Sequence, residues 1–231
     1  MAMKTNKILL LILVIENIII IFFICNKIFN KKCDNKYLEN INKVVEVKAD
    51  NADNTSYGSG FFIDDDTIVT NYHVISYKEK DERIAFDNYS IRFSDESDYE
   101  IVSLEGYDNI KDIAYLKYVG SHTHSYFKDS TDYENSNKIH SIGNLLNYGL
   151  SYKSGYISLK EVNILYNDEY NIFIECQINI AEGDSGSVIF DDSNKAIGMI
   201  TFRTKNNNVV EQGIAYAIPL DVIRDCYEQI K

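Results

Sequence analysis

The chain is poor in cysteine, and this scarcity rules out a fold that depends on disulfides or on structural zinc. It has four cysteines among 231 residues, and their spacing fits no zinc-binding pattern. Only Cys176 and Cys226 lie in the part that we expect to be globular, and we expect both to be buried free thiols rather than a disulfide. An apolar core must therefore stabilise the domain, and a hydrophobic content of 45% is sufficient for one.

Basic residues are also in short supply. Lysine and arginine number 23 against 35 acidic residues, which gives a formal net charge of −12. Only Glu16 of the acidic residues precedes residue 33, so the remainder of the chain is more acidic still. A nucleic-acid partner requires a basic surface that neutralises phosphates. The composition therefore excludes nucleic-acid binding and indicates a solvated acidic surface.

Histidine is scarce as well, which limits where a metal or a general base can be found. Of the four histidines, His122 and His124 lie in a polar connector with no third ligand nearby, so we interpret them as surface-loop residues. We interpret His140 as an ordinary strand residue. His73 is left as the candidate base, and the sequence implies no metal and no organic cofactor.

One long apolar run lies at the N-terminus. Residues 8–25 are interrupted only by Glu16 and Asn17 and are flanked by lysines. As a helix, this run would be about 27 Å long, close to the ~30 Å hydrocarbon core of a bilayer. No small-x-small cleavage signal follows it, so residues 1–32 are predicted to be a retained single-pass membrane anchor. Its flanking charges are too evenly divided to decide its orientation.

The rest of the sequence reads as a short tether followed by an all-β domain. Residues 33–54 are polar, and we expect a tether with a short helix there. From residue 55 onward, short apolar runs alternate with turn signals, as in barrels and sandwiches. Residues 60–63 and 67–69 form the clearest predicted hairpin, joined by three aspartates. Helical spacing appears only in residues 220–230.

The stretch AEGDSGSVIF, residues 181–190, places Ser185 on a tight bend before an apolar run. A serine hydroxyl is a weak nucleophile that needs an adjacent base, and the base needs a third group that fixes its tautomer. His73 at the end of an apolar strand and Asp112 before another supply such groups. The chain order His73, Asp112, Ser185 is therefore a candidate catalytic triad.

With these motifs in order, the sequence resembles the chymotrypsin-fold serine peptidases, and most of all the bacterial HtrA (Deg) type. The segments that carry the resemblance are GSGF, TNYHV, DIAYLK, GDSGS and GIAYAIP, which fall between residues 56 and 219. It implies a peptidase domain over residues 55–231, with two six-stranded Greek-key β-barrels. Barrel one is expected at about residues 55–120 and barrel two at about 137–219, followed by a C-terminal helix at 220–231.

The resemblance also assigns roles to residues. Ser185 is the expected nucleophile, His73 the general acid–base and Asp112 the group that orients it, while the amides of Gly183 and Ser185 form the oxyanion hole. A polypeptide substrate is expected to pair with the strand at residues 198–202, and small or medium uncharged side chains are expected before the scissile bond. The expected pocket residues are Asn179, Ile180, Thr201, Phe202, Arg203 and Ile214.

The sequence departs from the HtrA pattern in three respects. Asp184 stands where HtrA-type enzymes usually have asparagine, and if buried it needs a partner. One alternative is activation by cleavage near Lys43, which would free Val44 to pair with Asp184. Ser187 and Val188, which follow Gly186, make this stretch more like the bacterial glutamyl endopeptidases. The sequence shows no PDZ-like extension, so the peptide-sensing and assembly module of HtrA enzymes is not expected.

The sequence thus predicts a membrane-anchored serine endopeptidase whose peptidase domain is extracytoplasmic. Two alternatives use the same fold: a catalytically silent or latent module that binds or senses ligands, and an esterase with the same triad. The oligomeric state is not predicted.

Overall fold

The structure, a computed structural model, describes Asn17 and residues 35–80, 82–206 and 209–231, and only the backbone of residues 203–206 and 209–212. The predicted membrane helix at residues 8–25 lies outside the described residues, apart from Asn17. Within the part that is described, no helix is long and apolar enough to cross a membrane.

Two α-helices, α1 (Lys36–Asn40) and α2 (Leu220–Ile230), flank the described β-structure, and three 3₁₀ turns lie at Ile41–Lys43, Tyr72–Val74 and Leu145–Asn147. The strands up to the middle of the chain are β1 (Val44–Asp50), β2 (Thr55–Phe62), β3 (Thr67–Thr70), β4 (Ser76–Glu79), β5 (Glu82–Ala85), β6 (Asn88–Arg92), β7 (Glu100–Asp108) and β8 (Ile113–Lys117). The later strands are β9 (Lys128–Asp129), β10 (Lys138–Asn144), β11 (Leu150–Tyr166), β12 (Glu169–Gln177), β13 (Val188–Phe190), β14 (Lys195–Asn206) and β15 (Val209–Pro219).

The first barrel is closed and has six strands in the order β1-β2-β3-β8-β7-β6. Its first strand, Val44–Asp50, lies in the segment that was predicted to be a tether, so that prediction is wrong from residue 44 onward. The reason is packing: Val45, Val47 and Ala49 alternate along β1 and are fully buried in the interior of this barrel. The expected short helix in the same segment is present as α1.

The predicted aspartate-linked hairpin is confirmed as β2 and β3. Phe61 pairs with Val69 across it. The carboxylate of Asp64 accepts hydrogen bonds from the backbone amides of Asp66 at 3.1 Å and Thr67 at 2.7 Å. Because the side chain caps its own turn, the register of β3 is fixed, and with it the direction in which the chain leaves the barrel toward His73.

The second sheet has seven strands in the order β13-β10-β11-β12-β15-β14-β9. Strand β13 pairs with β10 on one side and with β14 on the other, which closes six of these strands into a ring. The seventh, β9, is a two-residue strand parallel to β14 and lies before the predicted start of barrel two.

Helix α2 is confirmed at the predicted position, and it packs into a core shared by both barrels. Ile223 is buried with Phe61 of the first barrel and Met199 of the second. The hydroxyl of Tyr115 donates to the carbonyl of Ile223 at 2.5 Å, and the Tyr227 hydroxyl lies 2.7 Å from that of Thr67. The helix therefore holds the first barrel by side-chain hydrogen bonds as well as by apolar contact.

Both cysteines of the described domain are buried free thiols, as predicted. Burial raises the pKa of Cys176 to about 12, and burial together with the Asp108 carboxylate raises that of Cys226 to about 11. Because the thiolate is the reactive form, we expect both to resist iodoacetamide at pH 8 in the native protein and to react on unfolding in guanidinium. The measurement is mass spectrometry of a chain in which Cys25→Ser and Cys33→Ser remove the other thiols. Full alkylation of the native chain, or loss of both thiols to a disulfide, would contradict this.

Candidate active site

The three candidate triad residues lie in turns and loops next to strands of both barrels. His73 is on the 3₁₀ turn that follows β3, and Asp112 directly precedes β8. Because β3 and β8 pair, with Thr70 opposite Ala114, the two side chains are brought together by sheet register. Ser185 lies in the loop between β12 and β13 of the second sheet.

His73 and Asp112 form a tight pair. Nδ1 of His73 lies 2.7 Å from Oδ2 of Asp112, and the backbone amide of His73 donates to Oδ1 at 2.8 Å. Asp112 adopts a left-handed backbone conformation with φ 61°, which aspartate tolerates better than most residues. Two contacts with one carboxylate fix both the position and the ring orientation of the histidine.

Two hydroxyl groups also donate to Asp112. The bonds come from Thr201 Oγ1 at 2.8 Å and from the Tyr166 hydroxyl at 3.0 Å, both to Oδ2. Burial by itself would raise the pKa of Asp112, but the nearby His73 ring, its two hydrogen bonds and the Thr201 hydroxyl outweigh burial, so the pKa lies below its usual value. The buried carboxyl is therefore an anion at neutral pH.

The Ser185 hydroxyl donates to the carbonyl of Thr201 at 3.4 Å. The side chains of Ser185 and His73 are both described, and no hydrogen bond joins them. Thr201 thus contacts both halves of the site, through its hydroxyl to Asp112 and through its carbonyl to Ser185. The structure brings His73 and Asp112 into direct contact and links Ser185 to them through Thr201.

The amides of Gly183 and Ser185 have no acceptor among the residues that are described, whereas the amides of Asp184, Gly186 and Ser187 all do. Their directions are set by the carbonyl on the other side of each trans peptide. The carbonyl of Glu182 accepts from the amide of Leu146 at 2.9 Å, and the carbonyl of Asp184 accepts from the amide of Ser187 at 2.9 Å. Both N–H groups therefore have a fixed direction and have no hydrogen-bond acceptor among the described residues.

Glycine is required at position 183. Its φ of 91° is unfavourable for other residues, and a β-carbon there would collide with the carbonyl of Asn144. Its own carbonyl accepts a hydrogen bond from the Ser59 hydroxyl at 2.8 Å, which fixes the peptide from the side of the first barrel.

Asp184 is buried and has the partner that its burial requires. Its Oδ2 accepts from the amide of Ala181 at 2.7 Å, and its Oδ1 forms an ion pair with Lys153. Val44, the residue that cleavage near Lys43 would free, is itself buried in β1 opposite Phe61. The structure thus argues against the cleavage alternative.

Three of the six predicted pocket residues lie in the loop that carries Ser185 or on the strand beside its start. Asn179 follows β12, and its side-chain oxygen is 3.8 Å from where a β-carbon on Gly213 would lie. Ile180 is half-buried in the same loop. Ile214 pairs with Gln177 in the interior of the sheet.

The residues of the adjacent strand behave differently. Phe202 stacks on Tyr166 at 4.8 Å and on Tyr216 at 5.0 Å, which makes a row of three aromatic rings. For Arg203 the backbone pairs with Ala215, and its side chain is outside the described part. Thr201 is engaged with Asp112 and Ser185 instead of forming a simple pocket wall.

The strand at residues 198–202 offers less free edge than predicted. Gly198 and Met199 are paired with β13 on one side and with β15 on the other. Phe202 pairs with β15, and β13 ends before reaching it. The open edge is therefore limited to residues 201–203.

A cleft of about 270 Å³ adjoins the His73–Asp112 pair and is lined by His73, Arg83, Asn109, Asp112, Tyr166, Asn167, Thr201 and Phe202. Arg83 is exposed at its rim and donates to the carbonyls of Ser76 at 3.3 Å and His73 at 3.5 Å. Within the described residues it forms no ion pair. The cleft thus combines a cation with an aromatic wall.

The other histidines lie elsewhere. His122 stacks on Phe93 at 3.9 Å and His124 stacks on Phe62 at 4.0 Å, so both cover one end of the first barrel. His140 is a buried strand residue, as predicted, and contacts Asp192 at 2.7 Å.

Sequence reasoning missed Tyr166, Lys153 and Ser59. Nothing local distinguishes Tyr166 or Lys153, because the partner of each is distant in the sequence. Tyr166 is 54 residues from Asp112, and Lys153 is 31 residues from Asp184. Ser59 lies within the GSGF segment, and its position between two glycines was the one available sign of a close backbone approach.

Comparison with known proteins gives a consistent family. A family model described as a trypsin-like peptidase domain matches residues 58–199. The chain is 31% identical over 179 residues to a probable periplasmic serine endoprotease, DegP-like, of Pseudomonas putida (strain W619), a match that covers 76% of this chain and 35% of that protein. It is 32% identical over 182 residues to a protein of the same description from Rickettsia prowazekii (strain Madrid E), with 75% and 33% covered. The chain therefore spans about a third of the length of these curated relatives.

Solved structures share the fold. The Rv3671c protease of M. tuberculosis in its active form superposes with a TM-score of 0.73 at 14% identity, covering 85% of this chain and 84% of the other. The HtrA-type protease AlgW with a tripeptide superposes with a TM-score of 0.70 at 22% identity, covering 85% and 62%. At such low identity these likenesses establish the chymotrypsin-like fold alone.

The lowered pKa of Asp112 predicts a pH-dependent contribution to stability. It is present above the unfolded-chain pKa of about 3.9 and is lost as the pH falls through the lower folded value. Wild type should exceed Asp112→Asn in free energy of unfolding at about pH 5, and the difference should shrink toward about pH 2. Denaturant unfolding at a series of pH values measures this, and a difference that stays constant over the range would contradict it.

Proposed function

The chain belongs to the trypsin-like peptidase domain family, as an HtrA/Deg-type serine endopeptidase with the chymotrypsin fold, and on this premise we propose that it cleaves peptide bonds with His73, Asp112 and Ser185. One observation above all supports the proposal. The Asp112-bound His73 and two unused amides, those of Gly183 and Ser185, come from separate barrels to one site that includes a serine hydroxyl.

The acid–base steps follow from this arrangement. Nδ1–H of His73 is donated to the Asp112 carboxylate, which leaves Nε2 as the proton acceptor. Nε2 takes the hydroxyl proton of Ser185 as the Ser185 oxygen attacks the scissile carbonyl. It then gives that proton to the leaving amine. An acyl-enzyme on Ser185 remains, and water activated by the same nitrogen hydrolyses it.

The amides of Gly183 and Ser185 stabilise the oxyanion of the tetrahedral intermediate. Donors that are already oriented need no rearrangement when the charge develops, and loss of one such donor typically lowers the rate by ~10²–10³-fold. The bonds from Leu146 to Glu182 and from Ser187 to Asp184 supply that orientation.

The Ser185 hydroxyl has to leave the Thr201 carbonyl before reaction. Rotation about the side-chain torsion of Ser185 moves it between staggered positions, at a small energetic cost. The freed Thr201 carbonyl then accepts an amide hydrogen of the substrate, since it is at the open edge of β14. Substrate binding thereby favours the reactive position of the nucleophile.

We propose that the substrate is a polypeptide that adds a strand at residues 201–203. Two AlgW structures are described as containing a tripeptide and a decapeptide. The six residues expected to form the pocket include no aspartate or glutamate that could pair with lysine or arginine. We therefore propose a preference for small or medium uncharged side chains immediately before the scissile bond.

For location, we propose that residues 8–25 anchor the chain in a membrane and that the peptidase domain is extracytoplasmic. The length and hydrophobicity of this run support the anchor. The curated relatives are described as periplasmic, which is consistent with an extracytoplasmic domain.

One specific observation favours a second candidate, a latent or catalytically silent module. In the structure the Ser185 hydroxyl bonds to Thr201 and not to His73. In a silent module this bond would persist in the presence of a ligand, whereas in the proposed peptidase it is exchanged.

The two candidates differ in their reaction with a fluorophosphonate probe, which labels a serine that is activated by a base beside an oxyanion hole. We expect the full chain to be labelled at one site, and labelling to be lost in Ser185→Ala and in His73→Ala. Ser154→Ala, at an exposed serine on β11, is the matched control and should be labelled like wild type. Intact-protein mass spectrometry gives the stoichiometry. Absence of labelling in folded wild type would refute the peptidase and leave the silent module.

Arg83 predicts a preference at the cleft beside His73. Because Arg83 is exposed and forms no ion pair in the described structure, a substrate glutamate that lies in this cleft, N-terminal to the residue immediately before the scissile bond, should be favoured over glutamine. For an exposed pair we expect a preference of about two- to five-fold in kcat/KM, and Arg83→Gln should abolish it. Matched Glu and Gln peptides test this. An unchanged preference in the variant would show that Arg83 does not contact the substrate.

A further inference from the structure

We propose that Lys153 is a positioning residue that holds the oxyanion loop, residues 181–187, in its working conformation within the uncleaved chain. This inference rests on the proposed function, because it explains how the same site is kept assembled. Lys153 does not contact the substrate. It acts through Asp184, the residue immediately before the nucleophile.

The contact is direct and buried. Lys153 lies on β11 opposite Ser141 of β10, and its ammonium group forms an ion pair with Oδ1 of Asp184. The Asp184 side chain is 1% exposed and that of Lys153 is 14% exposed. Among the described residues no other cation pairs with this carboxylate.

A buried carboxylate without a cation would be unfavourable. Removing a charged group from water is costly in free energy, so breaking a buried pair by removal of one partner is strongly destabilising. At neutral pH the loop relieves that cost if Asp184 moves to solvent, because protonation, which would let the side chain stay inside, costs free energy at a pH well above the usual carboxyl pKa. Lys153 therefore determines whether Asp184 stays inside.

Movement of Asp184 would disassemble the oxyanion hole. Its Oδ2 accepts from the amide of Ala181, its own amide donates to the carbonyl of Ala181 at 3.2 Å, and its carbonyl accepts from Ser187. These bonds join Asp184 to Ala181 and to Ser187, on either side of the peptide groups that carry the N–H of Gly183 and of Ser185. If the carboxylate left its site, the Ser185 amide would lose the Asp184–Ser187 bond that orients it, and the turn that begins at Ala181 and carries Gly183 would lose both of its bonds to Asp184.

The lysine makes a newly freed N-terminus unnecessary. The cation comes from an internal strand, so the charge that balances Asp184 is present as soon as the β10–β11 hairpin forms. Lys43, next to the alternative cleavage site, donates to Asn40 at 2.8 Å and its chain continues directly into β1. We therefore expect the uncleaved chain to be competent.

The test compares Lys153→Met with Lys160→Met, both measured in the full chain. Lys160 lies on the same strand and also pairs with a carboxylate, that of Glu134, but both side chains are exposed. For Lys153→Met we expect kcat and the fluorophosphonate labelling rate to fall ~10²-fold or more, the loss typical of one oxyanion donor, with KM changed far less. Lys160→Met should match wild type. Equal labelling rates in Lys153→Met and wild type would overturn the proposal.

A second variant separates positioning from folding. In Lys153→Met/Asp184→Asn the buried charge is removed together with its partner, and the amide oxygen can still accept from Ala181. We expect this double variant to fold and to recover at least about tenfold of the lost labelling rate, a coupling of the kind that double-mutant cycles isolate. A folded double variant as slow as Lys153→Met would overturn the role of charge compensation. Unfolding of both variants, with Lys160→Met folded, would overturn it too, because Lys153 would then maintain the fold and not the loop.

The outcome also distinguishes this inference from the proposed function. If wild type is not labelled, the peptidase assignment fails whatever Lys153 does. If wild type is labelled and the Lys153 variants are labelled at the same rate, the peptidase assignment stands and the positioning role fails.

Discussion

The active site depends on one buried hydrogen-bond node, Ser59, where the two barrels meet. Its amide donates to the carbonyl of Ser185 at 2.8 Å, and its hydroxyl donates to the carbonyl of Gly183 at 2.8 Å while accepting from the amide of Asn144 at 2.8 Å. Its own carbonyl accepts at 2.7 Å from the hydroxyl of Thr70, which lies on the strand that leads to His73. One residue of the first barrel thus holds two carbonyls of the nucleophile loop in the second. Catalysis of this kind requires groups from two separate sheets to be positioned with a precision of a few tenths of an ångström. Ser59 holds them in position through neutral hydrogen bonds.

Charge acts at the two ends of the same site. Asp112 is held as an anion by His73 and by two hydroxyl groups, while Asp184 is balanced by Lys153. The two carboxylates have different tasks: one orients a side chain that moves protons, and the other orients a backbone loop that receives negative charge. Because both are buried, each needs its partners permanently in place, which explains why an acidic chain keeps a lysine in the interior of its second barrel.

Local sequence signals were enough for the elements whose cause is local. The three aspartates predicted the β2–β3 turn because the Asp64 side chain caps its own backbone, and the spacing of Ile223 and Tyr227 predicted α2. The order of His73, Asp112 and Ser185 could be read from motifs, since each lies close in sequence to a short apolar strand, after β3, before β8 and before β13. Strand β1 was missed because its polar, lysine-rich context concealed the alternation of Val45 and Val47. Tyr166 and Lys153 could not be found, because their positions depend on hairpin length and register over 54 and 31 residues of separation. Sequence pattern thus identifies the reacting groups, while the contacts that hold them in place are properties of the folded pair of barrels.

Catalysis at this site requires that the amides of Gly183 and Ser185 form a ready oxyanion hole beside a histidine-activated serine. The most direct measurement is a crystal structure of the full chain after reaction with a fluorophosphonate. We expect a phosphorus bonded to Ser185 Oγ, with one phosphoryl oxygen accepting hydrogen bonds from the amides of both Gly183 and Ser185, and the loop unchanged at Asp184 and Lys153. A phosphoryl oxygen directed to solvent, or a Gly183 peptide turned away from it, would contradict the claim.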